Sequence, residues 1–323
     1  MNAAQISDIL TWGTATAYLI AMVAFTINLV TGRGVVASED EPDEDAAASE
    51  QRSQRRRQKS LGIAKSVLIL GVLVHIAAVV LRGFAAQRAP WANMYEFTVV
   101  GSLVAVLVFV IVAMRRKVWF LGAPVTGVAT AAIVLGLTQL HVVADGVQPA
   151  LQSYWLVLHV GVAVGGTGVF TVGMLFTVLQ LLRDSYDNGS TLLRGEGAAG
   201  RGKPILKTRL LNLRWLESLP RASTLEVLSF RVNSVAFVLW TFTLISGAIW
   251  AEDAWGRFWG WDPKEVWSFV VWIVYAAYLH ARATQRWTGR RAGYLVLVGY
   301  ACVLFNFTGV NLIFNGKHSY SGV

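Results

Sequence analysis

The chain has 323 residues, of which 55% are hydrophobic and only 15% charged, with a mean hydropathy of +0.52 and a formal net charge of +9. Soluble domains carry about 25% charged residues, so this composition excludes an ordinary soluble enzyme and points to an integral membrane protein. The positive charge does not point to nucleic acid, because Lys and Arg lie in loops between apolar runs, where they set membrane orientation. The single cysteine, Cys302, excludes an internal disulfide, a CxxC pair and a thiolate metal cage.

Crossing a ~30 Å hydrocarbon core takes about 18 or more apolar residues in a helix. Eight such runs occur, near 10–30, 61–82, 97–114, 118–138, 154–182, 230–250, 266–283 and 292–314. They are far too long for barrel strands, and backbone groups in lipid must pair within the segment, so the predicted class is all-α with eight transmembrane helices. The first run has neither a basic n-region nor a small-residue cleavage site and reads as a retained span. Four regions follow: 1–60, the first span and a linker; 61–182, spans two to five; 183–225, a long loop; and 226–323, spans six to eight with a C-terminal tail. The linker runs from an acidic to a basic block without aromatics and is expected to be disordered. A moderately apolar patch within 205–219 of the long loop fits an interfacial helix.

Lys and Arg assign orientation. Loops 31–60, 115–117, 183–225 and 281–291 hold 21 of them, against five in the opposite loops. The basic loops are therefore expected in the cytoplasm, with both termini and the 255–269 segment on the outer face.

That segment, WGRFWGWDPKEVWSF, interleaves Trp255, Trp259, Trp261 and Trp267 with Arg257, Asp262, Lys264 and Glu265. A helical turn would set Trp255 and Trp259 on one side, forming a face on which a flat ring system could stack. Arg257 and Lys264 suit carboxylates on such a molecule. Asp262, Pro263 and Glu265 also read simply as the N-cap, first position and capping box of the seventh span. An interfacial aromatic belt is the plain alternative for the tryptophans, but six of them within 250–272 exceed it.

The five histidines acquire depths from this topology. His141, His159 and His318 lie at the outer face, His75 lies within the second span, and His280 lies near the inner end of the seventh. Intramembrane ionisable groups usually face a functional interior, although His75 could simply bond to a neighbouring helix and His280 could cap its own. Imidazole is a common haem ligand. His75 and His280 do not match in depth, which argues against a permanently held transmembrane b-type haem.

Residues 255–267 resemble the tryptophan-rich "WWD" signature of the haem-handling superfamily. PALQSYWLVLHV (149–160), NGKHSY (315–320) and NMYEF (93–97) narrow the resemblance to the CcsA (ResC) branch of system II cytochrome c biogenesis. The likeness covers roughly 90–323 without 183–225. It implies a subunit of a plasma-membrane cytochrome c synthase complex that carries haem b outward, holds it at the outward-facing tryptophan loop, and promotes its thioether attachment to the CxxCH motif of an exported apocytochrome c. It further implies His159 and His318 as axial ligands of the outer haem and His280 as ligand of an intramembrane haem. Trp255, Trp259, Trp261, Arg257, Asp262 and Lys264 would hold the ring, and His141 is a competing ligand. A CcsB (ResB)-type membrane partner would supply the second intramembrane histidine, and a thiol-reducing protein would act upstream. The lyase activity would belong to the complex, with no side chain of this chain acting as acid or base. A haem exporter or chaperone that forms no bond is the alternative, and a redox subunit with permanent haem a third reading.

Overall fold

The computed structural model describes residues 1–31, 44–144, 146, 153–188, 214–314 and 316. These contain no strand, and eight of their helices are long and apolar enough to cross a membrane. In chain order the helices are α1 (Ala3–Thr31), α2 (Glu44–Ala86), α3 (Met94–Arg116), α4 (Gly122–Gln139), α5 (Gly161–Asp187), α6 (Ala222–Trp255), α7 (Pro263–Thr284), α8 (Arg290–Phe307) and the short α9 (Gly309–Ile313). A π-helical turn, Leu156–Val160, leads into α5. The chain is therefore a multi-pass membrane protein, as composition predicted.

The structure departs from the disordered-linker expectation over 44–60, which continue α2 by several turns beyond the apolar run. That stretch is rich in Ala, Gln, Glu, Lys and Arg and has no Gly or Pro, so nothing in it interrupts a helix already nucleated by the span. Residues 32–43 lie outside the described residues, as does most of the expected interfacial helix, of which only a 3₁₀ turn, Arg214–Ser218, is described.

Helix α5 is the centre of the bundle and packs against α3, α6 and α8, while α1 packs on α2 and α4, and α3 on α4. Two-thirds of the apolar window of α5 is buried, against 17% for α7, which sits at the periphery. Close approach of α5 and α3 depends on Gly168, where a Cβ would lie 2.7 Å from Val104 Cγ1. Small residues of this kind let membrane helices gain contact in the absence of a hydrophobic driving force between them. Aromatic rings fill the centre: Phe170 stacks on Tyr275 with centroids 3.9 Å apart and meets Trp240 edge-on.

Successive helices alternate in direction, so the 87–93 and 256–262 connections, the start of α5 and the end of α8 gather at one end. Side chains bind them together. Trp91 Nε1 donates to the Leu156 carbonyl (3.1 Å), Trp155 Nε1 to Asp253 (2.8 Å) and Lys264 Nζ to the Asn306 carbonyl (2.7 Å). The opposite end carries the basic connections, tied by Arg282–Glu226 and by Arg290–Asp184 (2.6 Å).

Candidate functional site

At the tryptophan end, a cleft opens between the start of α3, the π turn and first turns of α5, the end of α6, the start of α7 and the end of α8. Its non-protein space, open mouth included, is about 1280 Å³. Most of the wall is apolar: Trp91, Phe97, Leu156, Trp240, Trp250, Trp255, Phe258, Trp259 and Phe307. Asn93, His159, Thr167, Thr243, Lys264, Glu265, Ser268, Asn306 and Asn311 are its polar residues. An apolar cleft with a few convergent polar groups is the usual form of a small-molecule site.

His159 lies inside the π turn. Such turns insert a residue into a helix and are frequent where a side chain has to be re-aimed for function. Its Nδ1 stands 3.0 Å from the Thr243 carbonyl. A carbonyl only accepts, so Nδ1 carries the proton; in the neutral tautomer with this proton the ligating lone pair belongs to Nε2. Gly247, one turn further along α6, makes room for the ring: a Cβ there would lie 2.7 Å from His159 Cε1. The indole of Trp250 covers the imidazole at 5.7 Å.

The tryptophan loop is built locally. Helix α6 runs on to Trp255 and stops at Gly256, whose φ of 69° is the left-handed conformation that glycine adopts without strain. A helical turn spanning Trp255 and Trp259 is therefore absent, yet both rings line the cleft, one from the last turn of α6 and one from the loop. Helix α7 begins with the expected capping box: Asp262 Oδ1 accepts from Lys264 N (3.0 Å), and Glu265 Oε2 accepts from Asp262 N (3.1 Å) and Gly260 N (2.8 Å). Asp262 is buried in this capping role and does not line the cleft. Arg257 folds across the loop toward Glu265 (3.7 Å) and Trp255, also outside the cleft wall. Trp261 is 75% exposed, with a φ of 60° that a bulky residue adopts only when its surroundings force it. With Phe258 it forms an exposed aromatic rim.

Lys264 enters the cleft wall and donates to the Asn306 carbonyl (2.7 Å) and Asn311 Oδ1 (3.2 Å), at the break between α8 and α9. Among the described residues these two oxygens engage an ammonium that has three donors. Two further buried polar atoms of the wall, Trp259 Nε1 and Asn306 Oδ1, have no hydrogen-bond partner among the described residues. Buried polar atoms left this way usually await a ligand or water. Trp91 and Asn306 were not found by sequence reasoning. Trp91 precedes the 93–97 motif by two residues, which is the one signal available; Asn306 looks like an isolated polar residue in an apolar run.

The other histidines are placed apart from the cleft. His141 Nε2 pairs with Asp8 (3.1 Å) and its ring meets Tyr95 edge-on (4.9 Å), on the α1 side. His75 is fully buried between α1 and α2, with Nδ1 3.1 Å from the Tyr18 hydroxyl. His280 is exposed on α7, and its ring makes no hydrogen bond with any described residue. His318 lies outside the described residues, although Gly316, two residues earlier, sits beside Asp262 at the cleft end. Among the described residues no three His, Cys, Asp or Glu groups converge on a metal position. A bare metal ion would need such a cage, whereas a haem iron, held by its porphyrin, needs only axial ligands.

The family model for cytochrome c assembly proteins matches residues 91–318. The chain belongs to that family. Curated relatives place it in the CcsA branch. It is 37% identical to the "Cytochrome c biogenesis protein CcsA" of Thermosynechococcus vestitus over 222 residues, which covers 62% of this chain and 70% of the relative. It is 34% identical to the CcsA of Parasynechococcus marenigrum over 279 residues, covering 81% and 88%. Among solved structures, "Cytochrome c Heme Lyase CcmF" superposes with a TM-score of 0.62 at 14% identity. The superposition covers all of this chain and 49% of that one, so the chain spans about half the length of the structure whose fold it shares. The family match begins at Trp91, the first residue of the cleft wall.

Proposed function

We propose that this chain serves cytochrome c maturation as the haem-holding subunit of a cytochrome c synthase in the cytoplasmic membrane, with the tryptophan cleft on the extracytoplasmic side. One observation carries the reading: a histidine with its Nδ1 proton committed to a carbonyl stands in an aromatic cleft beside a half-buried lysine and polar atoms that have no hydrogen-bond partner among the described residues. Haem b is the substrate. Trp255, Trp259 and the apolar wall receive the ring, His159 presents Nε2 toward the iron, and Lys264 with Trp259 Nε1 meets the carboxylates. His318 supplies the second axial ligand, and the exposed rim of Phe258 and Trp261 borders the route by which the apocytochrome arrives.

The chemistry is addition. Each thiol of a CxxCH motif adds across one haem vinyl group: sulfur bonds to the carbon next to the ring, and the thiol hydrogen ends on the terminal carbon. No oxidant is consumed. Cys302, inside α8, is the chain's one thiol, so both cysteines come from the apocytochrome. The residues here contribute position, which can supply ~7–11 kcal/mol to a step of this kind.

His280 is the candidate ligand for haem on its way across. Its exposure on α7, the least buried span, suits a site completed by a histidine of a CcsB-type partner. A thiol-reducing protein is required upstream to deliver the apocytochrome reduced.

The test is expression of the chain with its partner and a reporter apocytochrome in a host lacking its own maturation system. Haem that resists acid-acetone extraction from the reporter supports synthase activity. Haem delivered but extractable would leave only the exporter reading. Loss of maturation in His159→Ala, recovered with added imidazole, would support the ligand role; full maturation in that variant would remove it.

A further inference from the structure

Phe97 of the 93–97 motif lines the cleft, and Glu96 of the same motif fastens the loop that borders it. Glu96, in the first turn of α3, is fully buried and accepts from Arg82 Nε (3.0 Å), Arg88 Nη1 (2.6 Å), Arg88 Nη2 (3.2 Å) and the Ala92 backbone N–H (3.1 Å). Asn93 caps the same helix by accepting from Glu96 N at 2.9 Å. Arg82 comes from α2 and also donates to the Val142 carbonyl (2.7 Å). The carboxylate therefore fastens the end of α2, the 87–93 loop and the start of α3 to one point. Breaking one arm of a buried charge cluster is strongly destabilising, because the remaining charges are left uncompensated, so this loop is held firmly.

The loop carries Trp91. Its indole N–H reaches 65 residues along the chain to the Leu156 carbonyl, the first residue of the π turn that contains His159. Its six-membered ring lies 3.4 Å from where a Cβ on Gly161 would stand, just past the end of that turn. Leu156, Trp250, Trp155 and Ala92 close a small apolar cluster around the contact. A π turn is an α-helix with one residue inserted. Relaxing it would swing the residues on its N-terminal side by up to ~100° about the axis, the angle of one residue at 3.6 per turn.

We infer that Trp91, anchored by the Arg82–Glu96–Arg88 cluster, is a positioning residue for His159: its N–H holds the Leu156 carbonyl and so keeps the π turn that aims the imidazole into the cleft. The inference rests on the ligand reading of His159 given above. Information passes from a charge cluster on α2 and α3, through one indole, to a ligand on α5.

Glu96 variants are a poor test because they threaten the fold itself. Trp91→Phe is the decisive one, since it retains an aromatic wall and removes only the N–H donor. The full chain, co-expressed with its partner and the reporter, is purified with endogenous haem. Chain yield should match wild type, the ferrous visible spectrum should move toward that of His159→Ala, and maturation should fall about fivefold, the scale of one lost hydrogen bond. Added imidazole should restore maturation, because it replaces a ligand but cannot repair packing. A loss that imidazole does not restore, or a spectrum moved by His159→Ala and untouched by Trp91→Phe, would overturn the inference alone. A spectrum unmoved by His159→Ala would overturn it together with the ligand reading.

Discussion

Gly247→Ala separates helix stability from site geometry, because the two effects have opposite signs. Gly247 lies in the interior of α6, where alanine favours the helix by about 1 kcal/mol. The same methyl group would stand 2.7 Å from His159 Cε1 and 3.0 Å from Nδ1. Ordinary carbon contacts begin near 3.4 Å, so the imidazole has to retreat by about 0.7 Å. Retreat takes Nδ1 away from the Thr243 carbonyl, now at 3.0 Å, toward separations at which a hydrogen bond no longer fixes the ring. A misplacement near 1 Å can lower a positioned reaction by about a hundredfold. The assay pairs thermal unfolding of the detergent-solubilised complex with haem-stained maturation of the reporter. The expected result is unchanged or raised unfolding temperature, a shifted ferrous spectrum, and maturation reduced by one to two orders of magnitude. Wild-type maturation with a wild-type spectrum in Gly247→Ala would refute the argument that this cradle sets the ligand.

Three further outcomes are expected. Asp262→Ala should lower stability by about 1 kcal/mol through loss of the α7 cap, while Asp262→Asn should retain both stability and maturation, which a melting curve and the reporter would show. If the asparagine variant folds but cannot mature the reporter, Asp262 acts on haem directly. His141→Ala should leave maturation within about twofold of wild type, because its ring is committed to Asp8 and Tyr95; a severe loss would reinstate it as a ligand. Trp261→Gly should raise the unfolding temperature, since the left-handed backbone costs a bulky residue roughly 1–2 kcal/mol, and should lower maturation by removing the exposed rim. Unchanged maturation would show that the rim takes no part.

What the amino-acid order determines by itself is whatever depends on neighbours along the chain. Eight spans are legible because hydrocarbon thickness demands a fixed length of apolar helix, whatever the helices pack against. The start of α7 is legible for the same reason, its cap and first turn being Asp262, Pro263 and Glu265. The aromatic density of the loop marks it as the place to look. Tertiary structure decides which members of that cluster share a cavity. Trp255, Trp259 and Lys264 line the cleft, whereas Asp262 is spent on capping, Arg257 folds back on Glu265, and Trp261 points outward. It also separates His141 and His159, two outer histidines that looked equivalent by depth. His159 enters the cleft because a carbonyl 84 residues away and a missing Cβ at Gly247 receive it, and His141 turns to Asp8 at the other end of the chain. The π turn, the reach of Trp91 and the polar edge of Asn306 are invisible to periodicity, since each is set by a helix brought alongside only when the bundle closes. Hydrophobic length writes the spans into the chain one at a time, but the site exists only where five of them end together.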